Sequence, residues 1–481
     1  MEKLFDNYNK NINSIKEAFQ DREDLILREI KVGKTSFGLF YLLGLSDAEN
    51  LSKLVVAPII NHKKYTNHNL IDTLEKRVLY FSEISKKTTL EDAKSEILKG
   101  KAVLIVNNCT ICISVQSDKH KERSIAEPPT NAVIKGPRRG FVENLKTNLA
   151  SIKTILHTTH LQTINLEVGK YTKTAVAIMY LEGIADKKIV KEIEKKIKDI
   201  NIDGIIDSYY IGQFLETRKT SIFKQIGISE KPDIVCAKML EGRVAIIVDG
   251  SPMVLTLPFL FYEDLQSSND YYSETKHVSF VRIIRLCSLF VTILLPGLYI
   301  AIELHHYKTI PLKYLITILN TTQGLPLTPL LEMLFVLLLF EILYEASLRM
   351  PRYLGQAMSI VGALILGDTA VKAGIVSPPS VMFMALSSIS LYVIPDQAPQ
   401  LSLTRLIFLL AGGLLGFYGI TITLIFALFY FSDFDAYGVA YLSPLSPLVN
   451  NDLKDYIIKT DLVNMKTRPK SIPNHNRIRK R

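Results

Sequence analysis

A nearly continuous apolar run over residues 286–431, set between charge-rich flanks, restricts this chain to folds that place the run in a bilayer. The averages conceal it. With 48% hydrophobic and 22% charged residues over 481 positions, the chain resembles an ordinary globular protein until position is considered. Leu, Ile, Val, Phe, Ala and Gly dominate the run, whereas Lys, Arg, Asp and Glu crowd the sequence before and after it. A chain this long has room for about two to four domains.

Five segments within the run approach the roughly 20 apolar residues that a spanning helix needs. The first, residues 286–302, follows Arg282 and Arg285, and basic flanks place its start on the cytoplasmic side. The second, 325–348, carries Glu332, Glu341 and Glu345, which are costly at membrane depth and should face protein or water. At about 100° per residue Glu341 and Glu345 share a face with Glu332 roughly opposite. Glu341 and Glu345 are therefore expected against neighbouring helices and Glu332, near Pro326 and Pro329, at the interface. The third segment, 355–376, is rich in small residues, and 405–431 is plainly long enough to cross. Between them, 382–394 is short for a span. Residues 1–10 (MEKLFDNYNK) carry no apolar leader segment, so the N-terminal region is expected in the cytoplasm, and the basic tail (Lys466, Arg468, Lys470, Arg477, Arg479, Lys480, Arg481) is expected there too. Both ends on one side require an even number of crossings, so four spans are expected, with 382–394 dipping or lying flat.

Before the run, residues 100–114 (GKAVLIVNNCTICIS) align without gaps to 242–256 (GRVAIIVDGSPMVLT), each after a helical stretch, 89–98 and 232–240. Asn107-Asn108 and Asp249-Gly250 supply a two-residue hairpin turn between β-branched strands. Residues 37–45 and 174–181 also read as strands leading into helices. The expected fold class is an α/β region of two related subdomains sharing one topology, followed by an α-helical transmembrane bundle. The boundaries fall at 1–123 for the first subdomain, 124–149 for a Pro/Gly linker, 150–275 for the second, 276–431 for the bundle and 432–481 for a basic tail. Residues 124–140 (SIAEPPTNAVIKGPRRG) read as the linker, with Lys135, Arg138 and Arg139 offering an anion-docking loop as the alternative.

The net charge of +10 does not point to nucleic acid, because most basic residues alternate with acidic ones, as in 188–198 (KIVKEIEKKIK), a solvated helix face. Membrane lipids are the expected partner of the excess positive charge. No phosphate loop, nucleophile elbow or zinc-binding helix occurs, so neither an enzyme nor a cofactor is expected. Cys109 and Cys112 sit three apart on a strand, facing opposite sides, and read as core residues in a reducing compartment rather than a metal pair. His305-His306 reads as interfacial.

A set of short motifs in order then carries a resemblance: 136–143 (GPRRGFVE), 230–233 (EKPD), 249–252 (DGSP), 355–368 (GQAMSIVGALILGD), 373–378 (AGIVSP), 441–447 (YLSPLSP), 452–455 (DLKD) and 465–469 (MKTRP). Together they resemble the A-subunit family of spore germinant receptors, the GerA type, from about residue 122 to 469. The resemblance implies a non-enzymatic subunit in the spore inner membrane, acting with a transporter-like B subunit and a lipoprotein C subunit. It also implies assembly into an oligomeric ion channel opened by a nutrient. Asp368 and Lys372 stand where the family usually has Gln and Glu, and Tyr344 replaces its usual Arg. A secondary transporter and a non-conducting scaffold remain the alternatives.

If the channel reading holds, the small-residue segment lines the pore. Gly355, Ser359, Gly362, Ala363, Leu366, Ala370 and Ala373 fall on one stripe, with Ser359 as a polar ring and Leu366 as a hydrophobic constriction. Close helix packing is the competing explanation of that stripe. Asp368 and Lys372 lie off the stripe at i and i+4 and are expected to pair.

Overall fold

The computed structural model describes residues 3–19, 22–62, 65, 70–81, 84–117, 135–349 and 368–480. It divides into two compact units, one of residues 1–219, 226–259 and 466–481, the other of 220–225 and 260–465.

The first unit holds two five-stranded sheets. Strands β1 (Leu25–Val32), β2 (Thr35–Leu42), β3 (Ile84–Lys87), β4 (Ala102–Val106) and β5 (Cys112–Val115) run in the order β1-β2-β4-β5-β3. Strands β6 (Leu161–Val168), β7 (Thr174–Leu181), β8 (Gly227–Ser229), β9 (Val244–Val248) and β10 (Val254–Leu257) run β6-β7-β9-β10-β8. The two orders are the same. Leu104 pairs with Ile113, and the aligned Ile246 pairs with Leu255. Because side chains alternate across a strand, this shared register sends aligned residues to the same face of each sheet. Both faces of the first sheet are covered, so β4 is buried at every position. Leu104 and Val106 meet the short helical segments of residues 48–61 and 70–78, while Val103 and Ile105 meet the Tyr8–Ala18 and Leu90–Leu98 helices.

The expected two-residue turns are corrected. Residues 107–111 separate β4 from β5 and residues 249–253 separate β9 from β10, because neither Asn107 nor Asp249 takes the positive φ that a tight turn demands. Only the second residue of each pair does so, Asn108 at φ 58 and Gly250 at φ 88. Freed from the turn, Asp249 accepts from the Leu145 amide at 2.9 Å, and the Gly250 amide donates to Glu143 at 2.7 Å. The DGSP motif thereby holds the first turn of the Leu145–Ile155 helix.

Duplication reaches further back than the aligned strands. Asn7 caps the Tyr8–Ala18 helix and Asn144 caps Leu145–Ile155. Asn11 and Asn148 then each clasp the backbone six residues upstream from both sides: Asn11 accepts from the Phe5 amide at 2.8 Å and donates to the Phe5 carbonyl at 2.6 Å, while Asn148 does the same to Val142 at 2.8 and 2.5 Å. Leu145–Ile155 begins inside the stretch expected as linker, of which residues 118–134 lie outside the described residues.

A buried ion cluster joins the two subdomains. Asp24 receives Arg22 Nη2 at 2.7 Å and Lys153 Nζ at 2.5 Å, with the Lys153 side chain 4% exposed. Burial alone would raise the Asp24 carboxyl, but the Arg22 hydrogen bonds and the Lys153 charge hold it below its ordinary value. The same burial pulls the Lys153 ammonium down, opposed by Asp24.

The second unit is a helical bundle with helices Thr275–His305, Leu312–Thr322, Pro329–Arg349, Pro378–Leu391 and Ala398–Ser432. Among the described residues, two helices combine the length and apolar composition of a span, Thr275–His305 and Pro395–Ser432, against the four the sequence suggests. Pro329–Arg349 is 21 residues long but carries three glutamates, Pro378–Leu391 has 14 residues, and residues 350–367 lie outside the described residues. Leu312–Thr322 is a helix the hydropathy did not single out. The two long helices meet at glycines. A side chain at Gly297 would strike the Phe408 carbonyl, and one at Gly412 would strike the Gly297 carbonyl, the small-residue approach by which membrane helices pack.

At the start of the first long helix, Arg282 and Arg285 are held by carboxylates. Both contact Asp270, at 2.9 and 2.8 Å, and Arg282 also binds Asp455 of the DLKD motif at 2.9 Å. Lys459 donates to the Asp270 carbonyl at 2.5 Å. Residues 432–480 are therefore no loose tail. They contain β11 (Asp435–Ala436) paired with β12 (Val439–Ala440), and in the first unit Arg468 of the MKTRP motif donates to the Leu240 carbonyl at 2.6 Å.

Asp24→Asn should cost the first unit about 3–5 kcal/mol, since it leaves buried cations without an anion. Its folded pKa lies below the unfolded value of about 3.9, so the stabilisation is complete above that pH and disappears as the pH falls through the folded value. Denaturant unfolding of residues 1–259 should show a deficit in Asp24→Asn at pH 7 that shrinks toward pH ~3.

Candidate functional site in the helical bundle

A charge inside an apolar bundle must find a partner or leave. Arg405 is the lone charged residue of the last segment, and its side chain is 1% exposed. The guanidinium donates to Glu341 at 2.5 Å and to the hydroxyls of Ser387 and Ser388 at 3.2 and 3.1 Å. Ser402 donates to the same Glu341 oxygen. Three helices are thus pinned at one point. Beside it, Ser387 donates to the Thr292 carbonyl at 2.8 Å, bringing in the first long helix.

The other glutamates are placed differently from the expectation. Glu332, expected at the interface, is 1% exposed and accepts from the Ser377 amide at 2.7 Å and the Ser377 hydroxyl at 2.6 Å. Ser377 is the N-cap of Pro378–Leu391, so Glu332 closes that helix start, where backbone N–H groups and the helix dipole favour an anion. Glu345, expected against a neighbouring helix, pairs instead with Arg349 one turn on, both exposed. Being four residues past Glu341, it has already passed the level at which the adjacent helix supplies a cation.

Lys372 and Asp368 pair at 2.6 Å in an exposed i, i+4 arrangement. The helix carrying them ends at Lys372, short of the expected Val376, because Gly374 takes φ 65 and the Gly374 and Ile375 amides turn back onto Val371 and Ala370. Ala370 packs against the cluster of Tyr299, Ile300, Met333, Val336 and Met384. Ser359, Gly362, Ala363 and Leu366 lie outside the described residues. Lys135, Arg138 and Arg139 are exposed.

At the far end of the first long helix, His305 Nε2 lies 3.0 Å from the Gly413 carbonyl, and His306 stacks on Phe417 at 4.5 Å. Gly416 breaks the last helix there with φ 61, and a side chain on it would press on both histidines. Cys112 is buried, its thiol pushed up to about 12 by desolvation, while Cys109 packs on the opposite face of the sheet. Among the described residues no three or more His, Cys, Asp or Glu are grouped to hold a metal.

The sequence reading missed Arg405 and Ser377 as site residues. Each had a signal: a single basic residue in an apolar segment calls for an acidic partner, and Ser before Pro-Pro is an N-cap followed by residues that cannot extend the helix backward. Replacing Glu341 by Leu or Arg405 by Met should each cost about 3–5 kcal/mol, with the double variant regaining most of it. Thermal midpoints of the three detergent-purified variants, set out as a double-mutant cycle, measure that coupling.

Comparison with known proteins places this architecture. A family model described as Bacillus/Clostridium GerA spore germination protein matches residues 13–471. Spore germination protein KA of Bacillus subtilis (strain 168) is 34% identical over 475 residues, covering 98% of this chain and 87% of that protein. The uncharacterized membrane protein YfkQ of the same organism is 31% identical, covering 96% and 91%, and spore germination protein GerLA of Bacillus cereus is 30% identical, covering 95% and 94%. Among solved structures, the crystal structure of the N-terminal domain of the A subunit of the Bacillus megaterium spore germinant receptor GerK3 covers 54% of this chain and 98% of its own, at 29% identity and a TM-score of 0.43. Because the family model and these relatives take in the paired sheets and the helical bundle alike, the chain belongs to the GerA family of spore germination proteins.

Proposed function

We propose that this chain is the A subunit of a nutrient germinant receptor in the spore inner membrane, and that copies of it assemble into an ion channel that opens when the receptor senses a nutrient. The observation that carries the reading is the family match over residues 13–471, spanning sheets and bundle together. A transporter-like B subunit and a lipoprotein C subunit are the partners this role calls for. Arg282 and Arg285 at the start of the first long helix and the basic residues after 465 support a cytoplasmic position for both termini, which two crossings satisfy as well as four. In this role the chain performs no covalent chemistry. In this reading Ser359, Gly362, Ala363 and Leu366 of the small-residue stripe line the pore, with Leu366 as the constriction that closes by dewetting, while Ala370 packs into the bundle core.

Reconstitution into liposomes with the B and C partners separates the channel from its alternatives. A channel gives passive ion flux that begins on adding nutrient, a transporter gives saturable flux coupled to substrate, and a scaffold gives none. Within a conducting complex, Leu366→Ala and Leu366→Ser should each leak ions before nutrient is added. If both stay closed and nutrient-dependent, Leu366 packs rather than gates.

A further inference from the structure

Among the described residues, Glu303 and Glu332 on the bundle helices lack the cation that their neighbours have. Glu341 has Arg405, Glu345 has Arg349 and Asp368 has Lys372. Glu303, on the first long helix, and Glu332 sit within electrostatic reach of each other, and neither has an ion-pair partner among the described residues. Glu332 is accommodated as an anion by Ser377 and the helix start behind it. Glu303 is not, and its Oε2 atom is buried with no hydrogen-bond partner.

A second orphan points into the same space. Tyr299, one turn before Glu303, is 6% exposed, and its hydroxyl is likewise buried without a hydrogen-bond partner. That hydroxyl faces Ser380 and Glu303, yet meets hydrogen-bond geometry with neither. Ser380 Oγ in turn lies 3.0 Å from Ser377 Oγ, the group that holds Glu332. Carboxylate and hydroxyl oxygens from three helices therefore converge where a buried polar atom without a partner carries a penalty of about 1–3 kcal/mol. The basic side chain next in sequence, His305, is turned away onto the Gly413 carbonyl.

We propose that Glu303, Tyr299, Glu332 and Ser380 form a binding site for a monovalent metal cation. The donors are all hard oxygens, the kind an alkali ion takes. With Glu332 already compensated, one uncompensated carboxylate matches one positive charge, and a divalent cage would need more acidic ligands than are gathered here. The inference is independent of the channel reading, and its test reads binding rather than flux.

The chain contains no Trp, so thermal unfolding of the full-length protein in detergent is followed by far-ultraviolet circular dichroism. Sodium chloride, potassium chloride and N-methylglucamine chloride are compared at equal ionic strength and neutral pH. Sodium or potassium should raise the midpoint saturably by about 3 °C or more over N-methylglucamine. Glu303→Gln and Tyr299→Phe should each abolish the increment, and Glu345→Gln should keep it. Tyr299→Phe removes a single oxygen from a buried ring and reads the site even where Glu303→Gln fails to fold. Equal midpoints in the three salts overturn the proposal, as does an increment that survives Tyr299→Phe. A midpoint that follows pH but ignores the alkali ion also overturns it, assigning Glu303 a proton instead.

Discussion

Arg405 cannot shed its charge, and in an apolar bundle a guanidinium without a partner costs several kcal/mol. Its 2.5 Å contact with Glu341, supported by Ser387 and Ser388, is the arrangement on which the packing of the second unit depends. The pair fixes the rotation of Pro329–Arg349 and Ala398–Ser432 about their own axes, and the serines bring Pro378–Leu391 to the same point. Rotation thus set, Glu332 is carried to the other side of its helix, where Ser377 receives it. One ion pair and one capped helix start together account for two of the three glutamates whose presence in an apolar segment is otherwise unfavourable.

Close approach does the remaining work in the bundle. Gly297 and Gly412 leave no room for a side chain between the two long helices, and Ser387 separately ties Pro378–Leu391 to the Thr292 carbonyl of the first of them. At the far end, Gly416 interrupts the last helix beside Gly413, whose carbonyl lies 3.0 Å from His305. Breaks of this kind in a membrane helix are tolerated where side chains satisfy the freed backbone groups. In the first unit the corresponding economy is repetition: one topology built twice, with Asn11 and Asn148 performing the same clasp and the Asp24 cluster joining the copies.

The family motifs take their meaning from these contacts. Asp249 of DGSP caps a helix 104 residues before it in the chain, Glu230 of EKPD receives the Phe141 amide of GPRRGFVE at 2.7 Å, and Asp455 of DLKD anchors Arg282. Each is a short polar side chain or a backbone carbonyl that satisfies backbone or charge on a distant segment. Adjacent residues do not reveal such a role, since the partner lies 89 or more positions away.

From the sequence alone came what depends on local composition and period. The apolar run and its basic flanks marked the helical bundle, the ungapped match of 100–114 with 242–256 announced two sheets of one topology, and i, i+4 spacing joined Asp368 to Lys372. Those properties are written in neighbouring residues, through hydrogen bonds and side-chain alternation that repeat every two or four positions. Only the tertiary structure decided the direction of each glutamate, the true length of the β4–β5 and β9–β10 connections, and the ordered course of residues 432–480. Helical projection showed that Glu332 and Glu341 oppose each other but not which of them would meet a cation. That was settled by Arg405, more than sixty residues away, because the energy of a buried charge is fixed by what packs against it and not by its place in the chain.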